Sequence, residues 1–276
     1  MTSAWRFEAI GTAWSIGTPD PIDHELRSAI TSRIDRFDRT WSRFRADATV
    51  AALRAERSVD LGPDAPAILG VYDRLFEFTD GAVSPLVGGA LEHLGYDAGY
   101  TFVPGRGPIR VPRWSDCRLT GTVLHVPGPV VLDIGAVGKG WLAGQIAGMI
   151  DQPCVVDASG DIVNRSGRTL RVALEDPGDP QMAIGVAEVP DGHAICASAG
   201  NRRRWAADLH HILDARSASP TRAIVGAWAG GPDPAWADGL ATAAFFADLA
   251  DDRHWTVTLD RDRRARIRGL PGEVFS

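Results

Sequence analysis

The sequence predicts an α+β fold in which antiparallel sheets are covered by helices. Three observations lead there. From Cys154 onward, β-rich runs at Cys154 to Val156, Leu170 to Leu174, Ala183 to Ala187 and Ala194 to Cys196 follow one another. They are separated by the turn signals Ser159-Gly160-Asp161, Asp176-Pro177-Gly178-Asp179 and Pro190-Asp191-Gly192, which reads as a meander and not as a βαβ series. Asp20 to Arg45 carries Leu26, Ile30, Ile34, Phe37, Trp41 and Phe44 at steps of four and three, one apolar face of a helix. Val130 to Met149 passes from an apolar run, through a loop rich in glycine, into a helical pattern.

The other elements follow in order. Trp5 to Gly17 reads as extended, interrupted at Gly11-Thr12. Trp41 and Phe44 close the long helix, where a flat ring belongs either to the core or to a ligand wall. A short helix is expected at Ala48 to Arg57. Another is expected from Pro63 to Thr79, with Ala67, Val71, Leu75 and Phe78 inward and Asp80-Gly81 as its stop. The loop Gly81 to Gly89 is too apolar for ordinary surface, so it packs inside or lines a pocket. Ile109 to Val126, broken by Pro112 and Gly121, reads as hairpins. Pro234 to Leu249 reads as a helix, and His254 to Leu270 as two strands.

Composition bounds the function. The 276 residues, 45% hydrophobic and 23% charged, suit a soluble globular chain with a real core, read here as one domain over 1–276. A net charge of -6 argues against a nucleic-acid partner held through phosphates. The clusters Arg202 to Arg204 and Arg261 to Arg268 are read as solvated surface. Cys117, Cys154 and Cys196 are odd in number and lack a metal spacing, which suits a reducing compartment. The N-terminus carries no signal-peptide pattern and no window has the apolar length of a membrane span, so a cytoplasmic location and no membrane partner are expected.

The chemistry concentrates around Asp133 to Gly140. Gly135, Gly138 and Gly140 let a ligand approach the backbone, a helix N-terminus follows, and Lys139 adds a positive charge, so the loop reads as a phosphate site. The Walker A pattern fails, because position 133 is Asp and Gly140 follows Lys139. Gly138 to Ala143 does match the dinucleotide fingerprint, which keeps a nicotinamide dehydrogenase in view. Asp238 and Thr242 lie one helical turn apart, a carboxylate over a hydroxyl, as suits Mg²⁺. The same pair also fits a helix start and a back-bonded threonine. His211 beside Asp214 reads either as an oriented general base or as a structural histidine.

Taken in order, these segments resemble the FAD:protein FMN transferases, the ApbE-type flavin transferases, over nearly the whole chain. Phe7 to Gly17 resembles the family's opening strand with its Gly-Thr. Trp41-Ser42-Arg43-Phe44-Arg45-Ala46-Asp47 resembles Met-Ser-Thr-Tyr-x-Pro-Asp, and Thr79-Asp80-Gly81-Ala82-Val83-Ser84-Pro85 resembles Thr-Asp-Gly-Ala-Phe-Asp-Pro. Asp133-Ile134-Gly135-Ala136-Val137-Gly138-Lys139-Gly140 is similar to Asp-Leu-Gly-Gly-Ile-Ala-Lys-Gly. Ser159-Gly160-Asp161-Ile162 resembles Gly-Gly-Asp-Ile, and His211-Ile212-Leu213-Asp214 resembles His-Ile-Ile-Asp. Ala237-Asp238-Gly239-Leu240-Ala241-Thr242 resembles Ala-Asp-Ala-Leu-Ala-Thr.

The resemblance implies an ApbE-like (T-fold-like) architecture. It also implies a Mg²⁺-dependent enzyme that cleaves FAD and passes FMN to a Thr or Ser hydroxyl of an acceptor flavoprotein, releasing AMP. By analogy Mg²⁺ would be held by Asp238, Thr242 and carbonyls at Ala136 and Ala241. Asp133 and Lys139 would contact FAD, and Trp41, Ala82, Val83, Ser84 and Ile212 would line the flavin pocket. His211 and Asp214 are the catalytic candidates. Trp41, Phe44, Ser84, Gly138, Ser159 and Ala199 depart from the family pattern, which leaves room for an altered substrate preference. An FAD pyrophosphatase giving FMN and AMP, and a non-catalytic FAD-binding protein, are the alternatives.

Overall fold

A computed structural model describes residues 1–206, 208–248 and 251–275. The chain opens with β1 (Ser3–Ala9), β2 (Thr12–Thr18) and α1 (His24–Trp41). Next come β3 (Ser58–Asp60), α2 (Ala65–Phe78), α3 (Gly88–His93), β4 (Arg118–Thr120), β5 (Val123–His125) and α4 (Gly138–Gly148). The meander supplies β6 (Cys154–Ala158), β7 (Ile162–Arg165), β8 (Leu170–Asp176), β9 (Asp179–Val189) and β10 (His193–Ala199). Four short strands follow: β11 (Arg204–Ala206), β12 (Leu209–His210), β13 (Leu213–Asp214) and β14 (Ser219–Pro220). The chain closes with β15 (Ile224–Gly231), α5 (Pro234–Ala243), β16 (Trp255–Asp260), β17 (Ala265–Arg268) and β18 (Gly272–Val274). Helices and antiparallel sheets are combined as expected for α+β.

The residues fall into two compact units. The first comprises Met1–Ile34, Val137–Ala199 and Ala223–Ser276. Its main sheet has eight strands in the order β1-β2-β6-β7-β10-β15-β16-β17, every neighbouring pair antiparallel. α4 and α5 pack on this sheet, while the sheet β18-β9-β8 shares a core with it through Leu174, Ile184, Val189, Ile195, Trp228, Trp255 and Val257. Because both faces of β15 are covered, its last six residues are all buried, where a sheet wetted on one side would alternate.

The second unit comprises Asp35–Ala136 and Gly200–Arg222. It holds the sheet β3-β5-β4, the ribbons β11-β12 and β13-β14, and the helices α2 and α3. Ala90, Leu91, Tyr96, Leu213 and Ala218 form one of its cores. The apolar loop after Gly81 packs inside, with Ala82, Val83, Ser84, Pro85 and Leu86 buried.

Several expectations need correction. The long helix starts at His24, where the Asp23 carboxylate accepts the Leu26 N–H at 2.8 Å, and stops at Trp41. In α2 the buried face is Ala65, Ile68, Leu69, Val71, Tyr72 and Leu75, so Ala67 and Phe78 point outward. Val130 to Leu132 is no strand. It is a strap held by the Val130 N–H to the Leu53 carbonyl (2.9 Å) and the Asp133 N–H to the Pro85 carbonyl (2.7 Å). With no strand before α4 and an antiparallel main sheet, the dinucleotide reading of Gly138 to Ala143 falls. The helix from Pro234 ends at Ala243, and Leu249, its expected end, lies outside the described residues. β3, β7, β15 and β18 were not foreseen. Among the described residues no helix is long and apolar enough to cross a membrane.

Glycine sets how closely α4 approaches α5. A Cβ at Gly140 would overlap the Pro234 carbonyl oxygen and lie 2.6 Å from the Asp238 Cβ, whereas a Cβ at Gly148 of the same helix meets open space. Gly140→Ala should therefore cost about 1–3 kcal/mol by overpacking. Gly148→Ala should gain roughly 0.5–1 kcal/mol from helix propensity. Urea unfolding midpoints of the two variants check this, and equal shifts would show that the contact is not tight.

Candidate functional site

In the first unit the site grows from the two helix N-termini. Asp233 caps α5 by accepting the Ala235 and Trp236 N–H groups at 3.0 and 3.2 Å, with Pro234 in the first turn. The helix then carries Asp238 into the interior, only 2% exposed. One of its carboxylate oxygens accepts the Gly140 N–H at 2.9 Å. A carboxylate thus sits where the free N–H groups of α4 would favour an anion.

Lys139, in the same turn of α4, is ion-paired with Asp161, whose side chain is 1% exposed. The second oxygen of Asp161 accepts the Ala197 N–H at 3.3 Å. The buried Cys196 thiol completes the group.

The electrostatics follow from burial and charge count. Burial would push the Lys139 ammonium down, but the negative charges of Asp161 and Asp238 outweigh it and hold it above its ordinary value. Burial, then repulsion from Asp161, pushes the Asp238 carboxyl well above the usual carboxylate range. The same two causes push the Cys196 thiol up. Two carboxylates face one ammonium, so the cluster lacks one positive charge.

The remaining donors suit a hard cation. Thr242 lies one turn beyond Asp238, with its hydroxyl 3.1 Å from the Ser198 hydroxyl. The last turn of α5 tightens, so the Phe245 N–H goes to the Thr242 carbonyl at 3.2 Å and not to Ala241. Among the described residues no three His, Cys, Asp or Glu side chains gather for a metal. One carboxylate, one hydroxyl and main-chain carbonyls fit Mg²⁺, which keeps several waters, better than zinc. Ala136 belongs to the second unit, where its N–H donates to the Tyr72 hydroxyl at 3.3 Å.

The second unit gathers most of the remaining expected residues. Asp133 accepts the Gly135 N–H at 2.7 Å on one oxygen and the Arg43 Nε–H at 2.5 Å on the other. Burial pushes its carboxyl up, but the Arg43 charge and these hydrogen bonds win and hold it below its ordinary value. The Tyr72 hydroxyl donates to the Asp133 carbonyl at 3.3 Å.

The Ala82–Ser84 loop is fixed at both ends. The Thr79 hydroxyl accepts the Val83 N–H at 3.0 Å, and the Ser84 hydroxyl accepts the Leu86 N–H at 3.2 Å. The Ala82 carbonyl accepts the Ala215 N–H at 2.9 Å, which ties this loop to the segment after Ile212, a residue 3% exposed. Trp41 is buried, and its Nε1–H finds no acceptor among the described residues.

The expected pairing of His211 with Asp214 is not formed. Both Asp214 oxygens are taken by the Arg216 guanidinium, at 2.9 and 2.7 Å. His211 is half-buried, with Nδ1 enclosed and without a partner among the described residues. Burial, then the charges of Arg203 and His210, push its imidazole down to about 3. No role for Asp161, Ser198 or Arg43 was evident in the sequence. For Asp161 the signal was the tight Ser159-Gly160 turn before it, both residues with positive φ.

The chain matches the model of the ApbE family over residues 10–266. It is 26% identical over 271 residues to the FAD:protein FMN transferase of Rhodobacter capsulatus, covering 89% of this chain and 51% of that protein. It thus spans about half the length of that relative. It is 24% identical over 248 residues to the FAD:protein FMN transferase of Escherichia coli strain K12, covering 77% of this chain and 69% of that one. The crystal structure of an ApbE protein from Thermotoga maritima superposes with a TM-score of 0.82 over 97% of both chains at 19% identity, a likeness of fold.

His211 makes stability depend on acid. Its imidazole stays neutral in the folded chain and takes a proton in the unfolded one below 6.5, so stability is lost as pH falls from there towards about 3. The loss through this residue should reach about 1.4 kcal/mol per pH unit. His211→Gln should flatten that slope in urea midpoints between neutral pH and mild acid. An unchanged slope would place the acid sensitivity elsewhere.

Proposed function

The chain belongs to the ApbE family, and we propose that it is a Mg²⁺-dependent FAD:protein FMN transferase. It would cleave the FAD pyrophosphate and place FMN on a Thr or Ser hydroxyl of an acceptor flavoprotein, releasing AMP. Residues 1–276 would work as a single flavin transferase domain. The observation that carries this reading is the buried cluster of Asp238, Asp161 and Lys139, which lacks one positive charge.

The chemistry needs those parts. A pyrophosphate repels an incoming oxygen until its charge is neutralised. Asp238 and Thr242, with the carbonyls of Ala136 and Ala241, would hold Mg²⁺, which when bound supplies that neutralisation. Lys139 adds a fixed cation. Asp161 takes part of its hydrogen-bonding capacity, while the ammonium keeps further N–H bonds for a phosphate oxygen. Asp133, held ionised, accepts only, so it would bind an N–H or O–H group of FAD. Trp41, Ala82 to Ser84 and Ile212 would enclose the flavin.

His211 is neutral near pH 7 and keeps a lone pair for the proton of the acceptor hydroxyl. The negative charge of FAD arriving nearby raises its basicity. Asp214 is left to fix the turn with Arg216 and does not orient the imidazole. We place the reaction in the cytoplasm, which the three free cysteines suit.

The chain is incubated with FAD and Mg²⁺, with and without a flavoprotein acceptor, and AMP, FMN and protein-bound flavin are followed. Covalent flavin on the acceptor with stoichiometric AMP is expected. Asp238→Ala should abolish it, and His211→Ala should lower the rate by about 10²–10⁴. Free FMN and AMP as the only products would indicate a pyrophosphatase, and FAD bound but never cleaved would indicate a binding protein.

A further inference from the structure

Arg43 stands where the family motif quoted above has Thr, and it is built into the second unit more deeply than any surface arginine. The residue is 5% exposed. Its Nε–H donates to Asp133 at 2.5 Å and its Nη1 donates to the Tyr96 carbonyl at 2.8 Å, with Glu92 at 3.7 Å. The guanidinium lies 4.1 Å from the Phe44 ring centroid and 4.9 Å from that of Tyr96. The remaining nitrogen, Nη2, is enclosed and has no hydrogen-bond partner among the described residues.

A guanidinium packed against two rings and hydrogen-bonded to a main-chain carbonyl is restrained from turning, so the oxygen it binds is held as well. The Gly135 N–H fixes the other oxygen of Asp133. Both oxygens keep lone pairs, and their directions are set.

We propose that Arg43 is a positioning residue for FAD: it orients the Asp133 carboxylate as a rigid acceptor for an N–H or O–H group of the dinucleotide. This rests on the transferase reading, in which Asp133 contacts FAD. Arg43 touches no reacting atom, so its removal weakens FAD binding and leaves the chemical step. Lysine at this position restores the charge without the planar fork, so it restores binding only in part.

The test is a double-mutant cycle on FAD affinity, with kcat and KM measured beside it on folded protein. Arg43→Thr and Asp133→Asn should each weaken FAD binding roughly ten- to hundredfold. The double variant should be no weaker than Asp133→Asn alone, with the loss appearing in KM and not in kcat. Arg43→Lys should fall between Arg43→Thr and the unaltered chain, and it serves where Arg43→Thr does not fold. Additive losses, or a loss confined to kcat and thermal stability, would overturn the proposal by making Arg43 a core residue only. Failure of the unaltered chain to bind FAD would overturn the transferase reading itself, which the cycle separates from a fault in the role of Arg43.

Discussion

Two carboxylates share one ammonium inside the first unit, and the rest of the site depends on that imbalance. Lys139 is ion-paired with Asp161, so its one charge is shared and does not balance both acids, and Asp238 is left buried with only main-chain N–H groups of Gly140 and Lys139 as further partners. A buried charge without a partner is costly, and the chain answers by favouring the protonated acid. A divalent cation, if bound as proposed, would resolve the same imbalance and keep the carboxylate ionised. The fold serves this cluster directly. Gly140 lets α4 come against α5, β7 follows the turn that presents Asp161, and β10 places Cys196 and Ser198 beside it.

The second unit solves the opposite problem. There Asp133 is over-supplied with positive charge from Arg43 and Arg203, and it stays ionised despite burial. The Phe44 and Tyr96 rings lie against the Arg43 guanidinium, Tyr96 also meets Arg203 and is stacked on Trp205, and Arg203 hydrogen-bonds the Tyr96 hydroxyl. One acid is thus pushed towards its protonated form and the other is held ionised, both against the same burial and separated by the sign of the neighbouring charge. Environment, not residue type, separates their roles.

Local signals carried much of this in the sequence. The glycines around Lys139, the one-turn spacing of Asp238 and Thr242 and the turn-punctuated meander all act over short range, so pattern reading finds them. What failed depends on contacts far along the chain. Val130 to Leu132 has strand composition, yet the Leu53 and Pro85 carbonyls tie it down as a strap. Ala67 and Phe78 share a helical period with Val71 and Leu75, but α2 is turned so that Ile68 and Tyr72 face inward. Asp214 looked like a partner for His211 because they are close in sequence, and Arg216, nearer still, takes it. Arg43 meets Asp133 across ninety residues, which no spacing rule reports.

The missing positive charge at Asp238 can be measured directly, without substrate. It is the thermal unfolding midpoint of the FAD-free chain as a function of Mg²⁺ concentration, for the unaltered protein and for Asp238→Asn. A cation that binds only the folded state raises the midpoint by mass action. Mg²⁺ should raise the midpoint of the unaltered chain. Asp238→Asn should start higher without Mg²⁺, because the buried acid is gone, and then should not respond. An equal response to Mg²⁺ in both proteins, or none in the unaltered chain, would contradict a cation site at Asp238.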